Sequence, residues 1–140
     1  MKRQLGFTLI EVMVVVAIIA ILAGIAVPQY TDYITRSQLV EAHAGLGAFR
    51  VQMEQYYQDN RNYGVGGCGA AAPTYKNFTH RCELQNGDQG YLARAVGSDG
   101  RVTGFTFSIN HQNARMTENV PDAAWGAVPM NCYIVRKGSC

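Results

Sequence analysis

The chain has 140 residues, enough for one ordinary domain, and a formal net charge of +2, which excludes a dominant basic or acidic surface as its main working device. Hydrophobic residues make up 48% and crowd toward the N-terminus, so the part left to face water is small. No G-x-S-x-G or H-E-x-x-H motif occurs and His43, His80 and His111 stand apart in sequence, which argues against an enzyme.

Lys2 and Arg3 open the chain, and residues 7–27 (FTLIEVMVVVAIIAILAGIAV) follow as 21 residues with one charge, Glu11. At about 1.5 Å per residue this helix covers about 31 Å, enough to cross a bilayer's hydrocarbon core. The basic flank places the N-terminus in the cytoplasm and the bulk of the chain outside. A cleaved secretory signal fits poorly, because the apolar run is long and continues to Pro28 without a small-residue cleavage site. Glu11 distinguishes the segment from an ordinary anchor. A carboxylate within a span costs on the order of 3 kcal/mol and calls for a partner, although the helix dipole favours an anion in these first turns. A cut between Gly6 and Phe7 would supply that partner as a new α-amine. Phe7 of one copy could then meet Glu11 of a neighbour shifted along the axis, and a repeated offset that does not close generates an open helical filament.

The stretch KRQLGFTLIEVMVVVAIIAILAGIAVPQY, residues 2–30, resembles the N-terminus of type IV pilins of the type IVa class. The resemblance implies a six-residue leader removed after Gly6 by a prepilin peptidase, N-methylation of Phe7, and pairing through Phe7 and Glu11 (fifth after the cut). It also implies assembly by an inner-membrane machine with cytoplasmic ATPases. The precursor would be a single-pass inner-membrane protein with its C-terminal domain in the periplasm, later part of a cell-surface pilus or fimbrium.

Pro28 removes one helical hydrogen bond and, with Gly24, marks a point where the helix can bend or melt. Helical periodicity nevertheless resumes at once. On a 100° wheel Tyr33, Val40, Ala44, Gly47 and Val51 form one apolar stripe, and Leu39, Ala42, Leu46, Phe49, Met53 and Tyr57 the opposite one. Two faces suit a helix that packs on its own domain with one and meets neighbouring chains with the other. Residues 59–63 (DNRNY) read as helix stop, and a Gly- and Ala-rich loop containing Cys68 follows. Residues 53–64 resemble minor pilins, including the DNA-uptake subgroup.

Cys68, Cys82, Cys132 and Cys140 all follow the span, and an even count in a small exported domain reads as a disulfide framework. Zinc is the weaker reading, since there is no C-x-x-C pair. Of the three connectivities, loop closure favours Cys68 with Cys82 and Cys132 with Cys140, each contributing about 2.5 to 3 kcal/mol in the chain-entropy model. Residues 91–96 and 101–110 read as a hairpin joined by residues 97–100, with shorter strands at 115–117 and 131–135. The expected fold is α+β: a long N-terminal helix, its first half in the membrane, packed on a small antiparallel sheet and stapled by disulfides. The expected division is leader 1–6, membrane and filament-core helix 7–28, amphipathic helix 29–62, and head 63–140. Residues 133–139 resemble the exposed, disulfide-bounded C-terminal region of type IV pilins.

Asp88, Asp99 and Asp122 hint at calcium, as in type II secretion pseudopilins, but form no compact ligand loop, so no cofactor or metal is expected. The leading functional reading is a structural pilus subunit, partnered by other pilins, serving adhesion to host surfaces, twitching motility or DNA uptake. Two alternatives stand beside it. One is a minor pilin binding DNA through Lys76, Arg81, Arg94, Arg101, Arg115, Arg136 and Lys137 with interleaved Tyr75, Phe78 and Tyr133, a set diluted by nearby acids. The other is a type II secretion pseudopilin.

Overall fold

The computed structural model describes residues 6–140. It divides into two compact units, one ending at Ile34 and the other comprising Thr35–Cys140. One helix, α1 (Leu9–Asn60), supplies the whole of the first unit's regular structure and opens the second. In the first unit its apolar side chains are exposed, and the stretch is long and apolar enough to span a membrane. The helix passes through Pro28 without interruption. Proline offers no N–H to the carbonyl of Gly24. Pro28's own carbonyl accepts a hydrogen bond from the Thr31 hydroxyl at 2.8 Å.

In the second unit Leu39, Ala42, Leu46, Phe49 and Met53 recur at steps of three and four residues, and all are buried. That spacing draws one continuous stripe down the helix, and the sheet covers it. Val40 and Val51, from the other stripe, are exposed. The sheet is a meander of four antiparallel strands, β1 (Phe78–Gln85), β2 (Gly90–Gly97), β3 (Thr106–Asn110) and β4 (Arg115–Asn119), in sequence order. Tyr91, Ala93 and Ala95 of β2 and Phe107 and Ile109 of β3 are fully buried. The small alanines at the centre of the sheet leave room for the large side chains of α1. Phe49 meets Tyr91 edge-on at 6.1 Å, and Phe105 meets Trp125 at 4.8 Å.

Three sequence expectations need correction. A complete strand, β1, precedes the first one expected and turns into β2 through Asn86, Gly87 and Asp88, all with positive φ. The strand expected to begin at Arg101 begins at Thr106 instead. Gly100–Val102 form a 3-10 turn, and Gly104 adopts φ +94°. At Gly97 a Cβ would lie 1.8 Å from the Val102 carbonyl oxygen, so only glycine lets this corner fold against β2. Residues 131–135 form no strand. That segment is held by an isolated bridge between Thr117 and Met130 and by the buried Thr117 hydroxyl, which donates to the Cys132 carbonyl (2.7 Å) and accepts the Ile134 N–H (3.0 Å).

Disulfides join Cys68 to Cys82 and Cys132 to Cys140, with Cα–Cα distances of 6.1 and 5.9 Å. The first ties the helix-to-sheet loop to β1. The loop is also held by Glu41 of α1, whose carboxylate accepts the backbone N–H of Lys76, the backbone N–H of Asn77 (3.3 Å) and the Asn77 side-chain amide (2.8 Å). Tyr75 lies over Gly45, where a Cβ would come within 2.0 Å of its ring.

Candidate functional site

At the start of the first unit, Gly6, Phe7 and Thr8 precede the helix and are exposed. The Glu11 N–H donates to the Thr8 hydroxyl (3.3 Å), and the Thr8 N–H donates back to the Glu11 carboxylate (3.4 Å). This reciprocal pair is a capping box, which satisfies two of the free amides at a helix start. Phe7, Glu11, Val12 and Val15 line a shallow hollow of about 260 Å³. Gly24 faces open space, and Pro28 lies one turn after it. Lys2 and Arg3, with most of the proposed leader, lie outside the described residues. The T-x-x-E spacing of the capping box is present in the sequence, where Glu11 is expected to pair with a neighbouring Phe7 amine and its bond to Thr8 is not anticipated.

In the second unit the seven basic residues singled out for DNA do not share one element. Arg81 and Arg94 are paired across β1 and β2 on the face turned away from α1. Arg94 is ion-paired twice there: its Nε donates to Glu118 (2.8 Å) and its Nη1 to Glu83 (3.1 Å). Burial works against its charge, yet the hydrogen bonds and charges of Glu118 and Glu83 outweigh that and raise its pKa. Lys76 lies in the loop before β1, and Arg101 in the 3-10 turn. Arg115, Arg136 and Lys137 belong to β4 and the C-terminal segment. The interleaved aromatics are engaged internally: Phe78 is in the core, Tyr75 covers Gly45, and Tyr133 stacks on His43 at 4.7 Å.

An open groove of about 680 Å³ separates the β3–β4 turn from the C-terminal disulfide loop. It is lined by Asn113, Ala114, Arg115 and Met116 of the β3–β4 turn and β4, by Asn131, Cys132, Tyr133, Val135 and Cys140 of the C-terminal segment, and by His43 of α1. The Arg115 guanidinium sits 5.9 Å from the centre of the Tyr133 ring, a cation–π distance. His43 also meets Phe107 edge-on at 4.6 Å. Burial, reinforced by the Arg115 charge, lowers the His43 pKa to about 4, so its imidazole is neutral at ordinary pH. Burial raises the Tyr133 pKa as well, keeping that hydroxyl protonated. Asp88, Asp99 and Asp122 occupy three separate turns, and Asp122 accepts the Ala124 N–H at 2.8 Å.

An anchor-length helix with a capped acid at its start, carrying a disulfide-stapled antiparallel head, describes a filament-forming pilin. Residues 1–27 match the family described as "Prokaryotic N-terminal methylation motif", and residues 28–119, more than half of the chain, match "Type IV minor pilin ComP, DNA uptake sequence receptor". The chain is 49% identical over 117 residues to a "Fimbrial protein" of Dichelobacter nodosus, covering 84% of this chain and 72% of that one. It therefore belongs to the type IV pilins, in the minor-pilin family matched by residues 28–119. Similarity to "Fimbrial protein EcpC" of Eikenella corrodens is 54% over 56 residues, 40% of this chain and 37% of the relative's length, so that match spans little more than a third of it. Among solved structures, the chain is similar to a type IV pilin from Shewanella oneidensis, at TM-score 0.47 and 17% identity over 58% of this chain and 89% of that one.

Proposed function

We propose that the chain is a minor subunit of a type IV pilus whose head domain binds DNA during uptake. The family match over residues 28–119 carries this reading, since the matched family is described as a DNA uptake sequence receptor. The distribution of charge supports it. Glu83 and Glu118 are engaged by Arg94, Glu41 by loop amides and Asp122 by a turn, while Arg81, Arg101, Arg115 and Arg136 remain exposed. Two of the acids that look like diluents in the sequence, Glu83 and Glu118, are thus ion-paired within the fold. Contacts of this kind release counterions from DNA, so affinity falls with salt at a logarithmic slope of about −0.9 per phosphate neutralised. Titrating the full chain in detergent micelles with labelled duplex DNA tests this: binding that weakens steeply between low and moderate salt is expected. Salt-independent binding, or none, refutes it.

The N-terminal segment in this reading is a precursor's leader and polymerisation helix. Cleavage after Gly6 and methylation of Phe7 yield the mature end. Glu11 then accepts the Phe7 amine of a neighbouring copy, and Gly24 with Pro28 gives the helix its weak point. The precursor spans the inner membrane with its head in the periplasm, is cut by the prepilin peptidase, and is carried by the inner-membrane machine into a surface filament.

The fimbrial relative that aligns over most of this chain favours a second role, as a bulk structural subunit for adhesion or motility. Mass spectrometry of sheared filaments separates the two by abundance: a bulk subunit dominates the fibre, and a minor one is a trace component.

A further inference from the structure

We propose that the tip of the β3–β4 hairpin reads base edges of duplex DNA, with Asn113 and Arg115 as the residues that discriminate sequence. The inference rests on the DNA-binding reading above and names the element that would make such binding selective. Phosphate contacts hold a protein on DNA without telling one sequence from another, and discrimination comes from side chains that reach base edges in a groove. Asparagine and arginine are suited to this, because their paired polar atoms match adenine N6 and N7 and guanine O6 and N7 respectively. Both are exposed at this tip, beside exposed Gln112.

The tip is rigid enough to present them. Asn110 accepts the N–H groups of Gln112 (3.0 Å) and Ala114 (2.8 Å) through its side-chain oxygen, and the Asn113 N–H donates to the Asn110 carbonyl at 3.0 Å. Asn113 sits at φ +62°, a left-handed conformation that asparagine tolerates. Arg115 is held over the Tyr133 ring, itself stacked on His43, so part of the ordering cost of a long cation is already met before DNA arrives.

Position and charge agree. β3 and β4 form the last pair of the sheet, and a two-stranded ribbon fits the major groove of B-DNA, about 12 Å wide. No Asp or Glu lines the adjoining cleft among the described residues, and Arg136 directly follows its lining residue Val135. Arg81, by contrast, stands on the broad outer face of the sheet, suited to phosphate contact.

The test uses the full chain in detergent micelles. Selection from a randomised duplex library yields a preferred sequence, and affinities for that sequence and a scrambled one are measured at fixed salt. Arg115→Lys keeps the charge but loses the fork, and Asn113→Gly removes the amide while keeping the backbone conformation. Each is expected to reduce the preferred-to-scrambled ratio by about 10-fold. Arg136→Ala is expected to weaken both affinities by the same factor and leave the ratio unchanged. The inference is overturned if both tip variants keep the wild-type ratio, or if the wild-type chain binds every duplex equally, which would leave DNA binding itself standing. If the wild-type chain binds no duplex, the DNA reading fails and the inference with it.

Discussion

His43 joins three parts of the head through one imidazole: α1 carries it, β3 meets its ring with Phe107, and the C-terminal loop lays Tyr133 across it. Its pKa is about 4 in the folded chain and the ordinary value is 6.5, so between these values the unfolded chain binds the extra proton. Stability from this group is therefore complete above about pH 6.5 and falls as the pH drops toward 4. His80, lowered by burial between Phe49 and Tyr75, acts in the same direction. Chemical denaturation across this range is expected to show a declining midpoint, and His43→Phe is expected to flatten the decline; an unchanged slope in that variant would refute the assignment. In sequence His43 is one polar residue between two apolar stripes. Only the meeting of Tyr133 and Phe107, far away in the chain, gives it a job.

Glu41 decides how the helix-to-sheet loop lies on α1. Glu41→Ala removes the acceptor for three N–H donors at once, and the expected cost is about 1–3 kcal/mol, read from the denaturation midpoint, with Glu41→Gln recovering part of it. The helix was legible in the sequence because its apolar residues repeat at the helical period over many turns. β1 was not. Its inward positions are Phe78, His80, Cys82 and Leu84, and the polar His80 among them interrupts the alternation even though Asn86-Gly87 marks the turn that follows. Residues 131–135 failed in the opposite sense: Tyr133, Ile134 and Val135 have strand-like composition, but Thr117 anchors the segment through its side chain and leaves no ladder to extend. The groove was illegible for the same reason, since its two walls come from segments whose contact depends on that anchor. The basic residues were countable in the sequence, whereas Arg94's removal from the free set required knowing that Glu83 and Glu118 flank it across the sheet.

In the molecule as a whole, the proposed pairing of copies is tested at the start of α1. Glu11→Val keeps the apolar stretch and is expected to leave membrane insertion intact while sharply reducing filament yield, measured by membrane fractionation beside shearing of surface fibres. Normal fibres from that variant would refute the pairing of Phe7 with Glu11. At the other end, the last residues meet the rest of the head through one backbone bridge, the Thr117 hydroxyl, the buried Ile134 and the Tyr133 ring beside Phe107, and close upon themselves with their own disulfide. The family match stops at residue 119, just before them. The four-strand ladder closes on its own register before this segment begins, so opening the Cys132–Cys140 loop would loosen the groove wall while the strands beneath keep their order.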